Sequence, residues 1–256
     1  MLSLRDNIVF ITGASSGIGQ ACARAFAREG AKILMAARRL ERLKKLSAEL
    51  TSDHGVPSRV IQLDVRDQAA VERAFTGLPA EWTAVDVLIN NAGLSRGLDK
   101  LHEGKIGDWE EMIDTNVKGL LYVSRAVIPG MVKRGGGHVI NIGSIAGHEV
   151  YPGGNVYCAT KFAVNALSRG LRLDLSGTPL RVSTVDPGMV STEFSLVRFH
   201  GDGERAAKTY QGFQPLTPDD VADAVVFCAT RPAHVNISEM IVMPQAQAAT
   251  SLVHRT

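Results

Sequence analysis

TGASSGIG, Thr12–Gly19, stands between a continuously apolar run, NIVFITG, and a helix-like run, GQACARAFAREG. Gly13, Gly17 and Gly19 let the backbone turn tightly and bring amide groups up to a phosphate at the start of a helix. Ser15, Ser16 and Ile18 complete the residues expected to face that ligand, and a pyrophosphate is the natural one. The spacing is GxxxGxG, not the commoner GxGxxG. Read alone, the glycines could form only a turn; the strand before and the helix after give them weight.

Outward from the turn, six more short apolar runs follow: KILMAAR, SRVIQLDV, VDVLINNAG, HVINIGS, LRVSTVDPG and EMIVMP. They do not alternate with polar residues, as expected of strands buried on both faces of a parallel sheet. Helix-like segments lie between them, including the stretches Trp109–Lys133 and Tyr157–Leu175. Strands alternating with helices give βαβ units and predict an α/β fold, a doubly wound parallel sheet of Rossmann type with helices on both faces. Residues 1–256 read as one domain, with no repeat or linker dividing them. Thr217-Pro218-Asp219-Asp220 supplies a cap, a first-turn proline and two acids for the last helix. Only the stretch from about 190 to 215 is long and polar for a connection, as a substrate-binding loop would be.

The chain has 256 residues and a formal net charge of +2. That charge, with scattered Lys and Arg, suggests neither nucleic acid nor membrane as a partner. Cys22, Cys158 and Cys228 are odd in number and widely spaced, so neither a disulfide framework nor a zinc site is expected, and reduced thiols fit a cytoplasmic protein. No histidine has metal-ligand spacing, so no metal is expected, and His102, His138, His148 and His200 read as surface or supporting residues.

The end of the second strand selects the dinucleotide. An acid there would read the ribose of NAD; this chain has Arg38 and Arg39, whose guanidinium groups suit a 2′-phosphate. NADP(H) is therefore the expected cofactor, with Arg38 mattering most. The alternative is that both arginines are solvated residues opening the next helix.

These residues resemble the short-chain dehydrogenase/reductase family over essentially the whole chain. The likeness rests on TGASSGIG, Asp64-Val65, Asn90-Asn91-Ala92-Gly93, Asn116, Ser144, the pair Tyr157 and Lys161, and Pro187-Gly188. Tyr157 and Lys161 are four residues apart and so share a helical face. A phenol can give a proton to a carbonyl that receives hydride, but its ordinary pKa near 10 calls for a neighbouring cation.

The resemblance implies that Lys161 supplies that cation and also holds the nicotinamide ribose. It gives Ser144 the reacting oxygen to orient, and Asn116 a water chain that resupplies the proton. It further assigns Asp64 and Val65 to the adenine pocket, with a helix cap as the plainer reading of Asp64. Asn90, Asn91, Ala92 and Gly93 would support the cofactor, and Pro187, Gly188, Val190 and Thr192 would wall the nicotinamide carboxamide.

Within the family, INIGSIAG, GGNVYCATK and the stretch from TEFSLVRFHGD to PLTPDDVADAV look like bacterial and yeast NADP-dependent enzymes that oxidise serine and related 3-hydroxy acids and reduce malonic semialdehyde. Such a small substrate needs a carboxylate anchor, and Arg198 in the loop and Arg96 after NNAG are the candidates. Two other readings stay open: a reductase of uncharged ketones or pterins, and a non-catalytic NADP-binding regulator. By analogy the chain forms a homotetramer through the long helices from Trp109 and Tyr157, while MPQAQAATSLVHRT has no evident chemical role.

Overall fold

In the computed structural model, which describes residues 2–256, all seven apolar runs are strands of one parallel sheet. They are β1 (Ile8–Thr12), β2 (Lys32–Ala37), β3 (Ser58–Gln62), β4 (Val85–Asn90), β5 (Gly137–Ile142), β6 (Leu180–Pro187) and β7 (Glu239–Val242), in the order 3-2-1-4-5-6-7. The helices are α1 (Gly17–Arg28), α2 (Leu40–His54), α3 (Gln68–Thr76), α4 (Ile106–Ile113), α5 (Leu120–Arg134), α6 (Asn155–Asp174), α7 (Phe194–Arg198), α8 (Gly203–Lys208) and α9 (Pro218–Ala229).

Period-two geometry divides the strand residues between two cores. Val9, Ile11, Ile33, Met35, Val87 and Ile89 face α1, α2 and α9. Ile8, Phe10, Leu34 and Leu88 face α5, with Val123, Val127 and Met131 packed against them. Both faces of β1 are buried, which is why its run shows no alternation. β3 and β7 are the edges of the sheet and are only partly covered. Complete burial was expected of every run, but an edge strand has a neighbour on one side only.

The stretch beginning near Trp109 is also less regular than a single helix. α4 and α5 are joined by a π-helical segment, Asp114–Gly119, which holds Asn116. Such a wide turn is frequent at functional sites. Thr217 caps α9, its hydroxyl accepting the Asp220 amide while the Asp220 carboxylate accepts the Thr217 amide. The long connection after β6 is partly folded, into α7 and α8.

Candidate active site

Because every strand is parallel, their carboxyl ends share one edge. The order reverses between β1 and β4, where an open α/β sheet leaves a crevice for a ligand. A cleft lies there, lined by Gly13, Ser15, Ser16, Gly17, Ile18, Arg38, Arg39, Asp64, Val65, Asn91, Ala92, Gly93, Ser144, Tyr157, Lys161, Pro187, Gly188, Val190 and Thr192. Most of the residues singled out in the sequence are thus on one surface. Gly19, Asn90, Asn116, Arg96 and Arg198 are not among its lining residues.

The glycine turn has the shape that a dinucleotide needs. Gly13 has φ +67°, and a Cβ on it would come within 2.9 Å of the Ala92 Cα. A Cβ on Gly19 would come within 2.6 Å of the Gly13 carbonyl oxygen, so this glycine serves close packing of helix against turn. Among the described residues no side chain caps the first turn of α1, which leaves its amides for an anion. At the far end of the turn Arg39 donates to Ser15 Oγ at 3.2 Å, to Ser16 Oγ at 2.6 Å and to Glu193 at 2.8 Å. Arg38 is freer, more than half exposed and 3.8 Å from Glu111. Uncapped amides, a cradle that side chains would fill and two guanidinium groups fit a phosphorylated dinucleotide.

Asp64 is no helix cap. It accepts from the amide and side chain of Arg66, and Asp67 caps α3 instead. Asn90 is buried, donating to Ser124 Oγ and Asn141 Oδ1, and so ties β4 to β5 and α5. Asn91 does the bracing within the cleft, donating to the Thr12 carbonyl at 2.9 Å.

At the inner end of the cleft, α6 presents Tyr157 and Lys161. Both are buried, and Lys161 Nζ lies 5.9 Å from the phenol ring centre while donating to the Ile142 carbonyl at 2.9 Å. Burial pulls the Lys161 ammonium down to about 8, opposed by the Asp186 carboxylate. Burial pushes the Tyr157 phenol well above its ordinary value, and Arg198 and Ser144 act against that shift. Ser144 follows β5, its Oγ accepting from the Ala146 amide. Asn116 sits behind, bonded to both polar groups of the Leu94 backbone and donating to Thr160 Oγ1 at 3.0 Å.

The two candidate anchors differ in placement. Arg96 is held by Glu111 at 2.7 Å and by the Val197 carbonyl, away from the cleft. Arg198 lies over Tyr157, Phe194 and Tyr151, donating to Ser95 Oγ and the Tyr151 hydroxyl. Tyr151, Ser95 and Glu193 were not read as site residues, since no motif spacing marks them. Asp186 was not read as a site residue either, although an acid inside an apolar strand is a signal that could have found it. It is fully buried and pairs with His148 at 2.9 Å; burial raises its pKa and His148 opposes that. His138 is not a surface residue: it lies inside the sheet against Ser183, and burial pulls it down to about 3. Among the described residues no cluster of ligating side chains could hold a metal ion.

The family profile described as short chain dehydrogenase matches residues 7–201. The chain belongs to the short-chain dehydrogenase family. A Salmonella typhi protein named NADP-dependent 3-hydroxy acid dehydrogenase YdfG is 52% identical to it over 251 residues, 97% of this chain and all of the relative. A Schizosaccharomyces pombe NADP-dependent 3-hydroxy acid dehydrogenase is 42% identical over 256 residues, 100% of this chain and 99% of that one. A solved structure of the closed form of serine dehydrogenase complexed with NADP+ superposes with TM-score 0.91 at 50% identity, covering 97% of this chain and 100% of the other.

Proposed function

We propose that this chain is an NADP-dependent dehydrogenase of small 3-hydroxy acids, serine among them, working on the alcohol and 3-oxo forms of its substrates. The observation that carries the reading is the convergence of Ser144, Tyr157 and Lys161 on the inner end of a cleft whose outer end holds Arg38 and Arg39. The likeness to a serine dehydrogenase and to 3-hydroxy acid dehydrogenases along nearly the whole chain supports the substrate class.

In this reading the amides of the glycine turn hold the pyrophosphate, and Arg38 with Arg39 holds the 2′-phosphate. Bound NADP supplies the hydride acceptor, and NADPH the donor. Tyr157 takes the proton from the alcohol oxygen in oxidation and returns it in reduction. Lys161 favours the phenolate electrostatically, and Ser144 Oγ hydrogen-bonds the reacting oxygen so that it faces the phenol. Asn116 fixes the turn after β4 and the helix bearing Tyr157, at the place where a proton could be resupplied. The substrate carboxylate belongs on Arg198, whose Nη1 makes no hydrogen bond among the described residues. The substrate-binding loop spans about 190–215.

A cytoplasmic homotetramer completes the proposal. Ile113, Leu121, Phe162 and Leu173, on the helical stretch from α4 to α5 and on α6, are exposed apolar side chains, as packing against a second copy would require. Sedimentation as a monomer at working concentration would remove the oligomer, and no described helix is long and apolar enough to cross a membrane. The activity is tested by NADP+ reduction with L-serine and 3-hydroxyisobutyrate, beside NAD+ and an uncharged secondary alcohol, with Tyr157→Phe as control. Turnover of the acids with NADP+, abolished by Tyr157→Phe, is expected. Turnover of the uncharged alcohol alone would discard the carboxylate anchor, and tight NADPH binding without turnover would leave a regulator.

A further inference from the structure

Two cations flank the ring of Tyr157, and the chemistry above uses one of them. Lys161 Nζ lies 5.9 Å from the ring centre, and Arg198 Cζ lies 5.4 Å from it. They come from different elements, Lys161 from one turn further along α6 and Arg198 from α7. Arg198 is held in place by Ser95 Oγ at 3.1 Å, by the Tyr151 hydroxyl at 2.8 Å and by the face of Phe194 at 5.1 Å. That leaves Nη1 uncommitted, so the same guanidinium can touch the phenol ring and accept a further anion.

Among the described residues, Arg96 and Lys105 share a small cavity with Tyr157, but Asp99 and Asp108 line it too and Arg96 is paired with Glu111. Tyr151, ahead of α6, and Cys158, next to Tyr157 on α6, both oppose its ionisation. Ser144, at the end of β5, favours ionisation through a hydrogen bond. Burial dominates and raises the phenol's pKa, and the charge of Arg198 is the largest influence in the other direction. A cation in a partly desolvated pocket acts strongly at this range.

We propose that Arg198 is a second cation on the catalytic phenol, and that a substrate carboxylate bound to Arg198 cancels its charge and returns Tyr157 toward the protonated form. The first half stands on the geometry alone; the second rests on the reading of Arg198 as carboxylate anchor. An acid substrate would then favour proton donation by its own binding, which an uncharged alcohol or ketone of the same size would not do. Arg198 acts on the reaction through Tyr157, as a positioning and tuning residue.

The test titrates Tyr157 in the NADP+-loaded protein by the ultraviolet absorbance of phenolate; because Arg198 also bonds the Tyr151 hydroxyl, each protein is blanked by its own Tyr157→Phe counterpart, wild type by Tyr157→Phe and each Arg198 variant by the double variant. Arg198→Gln is expected to raise the midpoint by about one pH unit, a tenfold loss of phenolate at a given pH. Arg198→Lys, which keeps the charge but not the planar fork, is expected to restore most of the shift; a purely structural role would not follow the charge. Coincident midpoints for wild type and Arg198→Gln would overturn the proposal. Saturating propanoate, an unreactive carboxylate, is expected to raise the wild-type midpoint and to leave that of Arg198→Gln in place. A rise in Arg198→Gln without a propanoate effect on wild type would keep the second cation and remove the carboxylate anchor. An equal propanoate effect on both would overturn the proposed cancellation.

Discussion

The two walls of the cleft are built in different ways. One is made by the turns after β1, β2, β3 and β4, and its backbone is locked by the sheet. Thr12 Oγ1 accepts from the Asn91 and Ala92 amides at 3.1 and 3.0 Å, and the Asn91 side chain donates back to the Thr12 carbonyl. The other wall, from Pro187 to Val197, has backbone bonds to Val242 and Leu216 at its start and beyond them is held by long side chains. Gln247 accepts from the Met189 amide, the Tyr210 hydroxyl donates to the Val190 carbonyl, and Arg96 reaches the Val197 carbonyl. A wall of buried strand ends holds a fixed shape for a constant ligand; one held by side-chain tethers can be reset without refolding the sheet.

Breaking the rigid wall has the largest expected effect. Gly13→Val puts a β-branched residue at φ +67° with its Cβ against the Ala92 backbone. Loss of NADPH affinity of about 100-fold or more and destabilisation of about 2–4 kcal/mol are expected, read by fluorescence titration and thermal unfolding. Near-normal binding would show that this wall yields as easily as the other.

Lys161 stands where the walls meet, and its burial makes a prediction about pH. In the cofactor-free protein its pKa is about 8, against an ordinary value of 10.5. Between these values the unfolded chain holds the proton and the folded chain does not, so stability rises with pH across that window. Wild type is expected to gain up to about 3 kcal/mol relative to Lys161→Met as pH goes from 8 to 10.5, measured by denaturant unfolding. Parallel curves for the two proteins would mean that Lys161 is not held in a desolvated state.

The rigid wall was also the more legible one, although the family resemblance had singled out Pro187, Gly188, Val190 and Thr192 of the other, which line the cleft. TGASSGIG, NNAG and Tyr157 with Lys161 are local patterns, each fixing a turn or a helical face through residues close together in sequence. All seven strands were readable because parallel strands are continuously apolar. The tethered wall depends on pairs such as Arg96 with Val197 and Gln247 with Met189, separated by 101 and 58 positions. Such pairs leave no periodicity, and one sequence cannot show that Arg96 braces the loop while Arg198 lies on the phenol. Asn90 was misread for a related reason: it shares a motif with Asn91 but points to the opposite side of β4, into the interior. The C-terminal stretch shows no chemical role in the sequence because its main partners are distant backbone groups, the Met189 amide for Gln247 and the Thr209 and Gln211 carbonyls for Arg255, which no side-chain pattern announces.

The specificity end of the rigid wall should respond more gently than its glycines. Arg38 is exposed and weakly partnered, whereas Arg39 is already engaged by Ser15, Ser16 and Glu193. Arg38→Ala is expected to lower the preference for NADP over NAD by about 10- to 100-fold in kcat/KM, more than Arg39→Ala does, with NAD kinetics little changed. A larger effect at Arg39 would mean that the phosphate displaces Glu193 from it, tying cofactor choice to the tethered wall.

The smallest effect is expected at the far end of that tethered wall. Arg255 donates to the Thr209 carbonyl at 3.1 Å and to the Gln211 carbonyl, and its guanidinium covers Phe213 at 5.0 Å. The Thr256 amide bonds the Gly212 carbonyl at 2.8 Å. Residues 209–213 carry Tyr210, which in turn holds Val190 and Ser195. The tail is therefore two links from the cleft, and its contacts are exposed ones of modest strength. Arg255→Ala should raise KM for 3-hydroxyisobutyrate about threefold, with the Kd for NADPH unchanged and global stability altered by less than about 1 kcal/mol. That split is the point of the measurement: a change in substrate binding alone would show the tethers acting on one wall without the other. Equal losses of cofactor and substrate binding would mean that the two walls move together and that their different construction has no functional consequence.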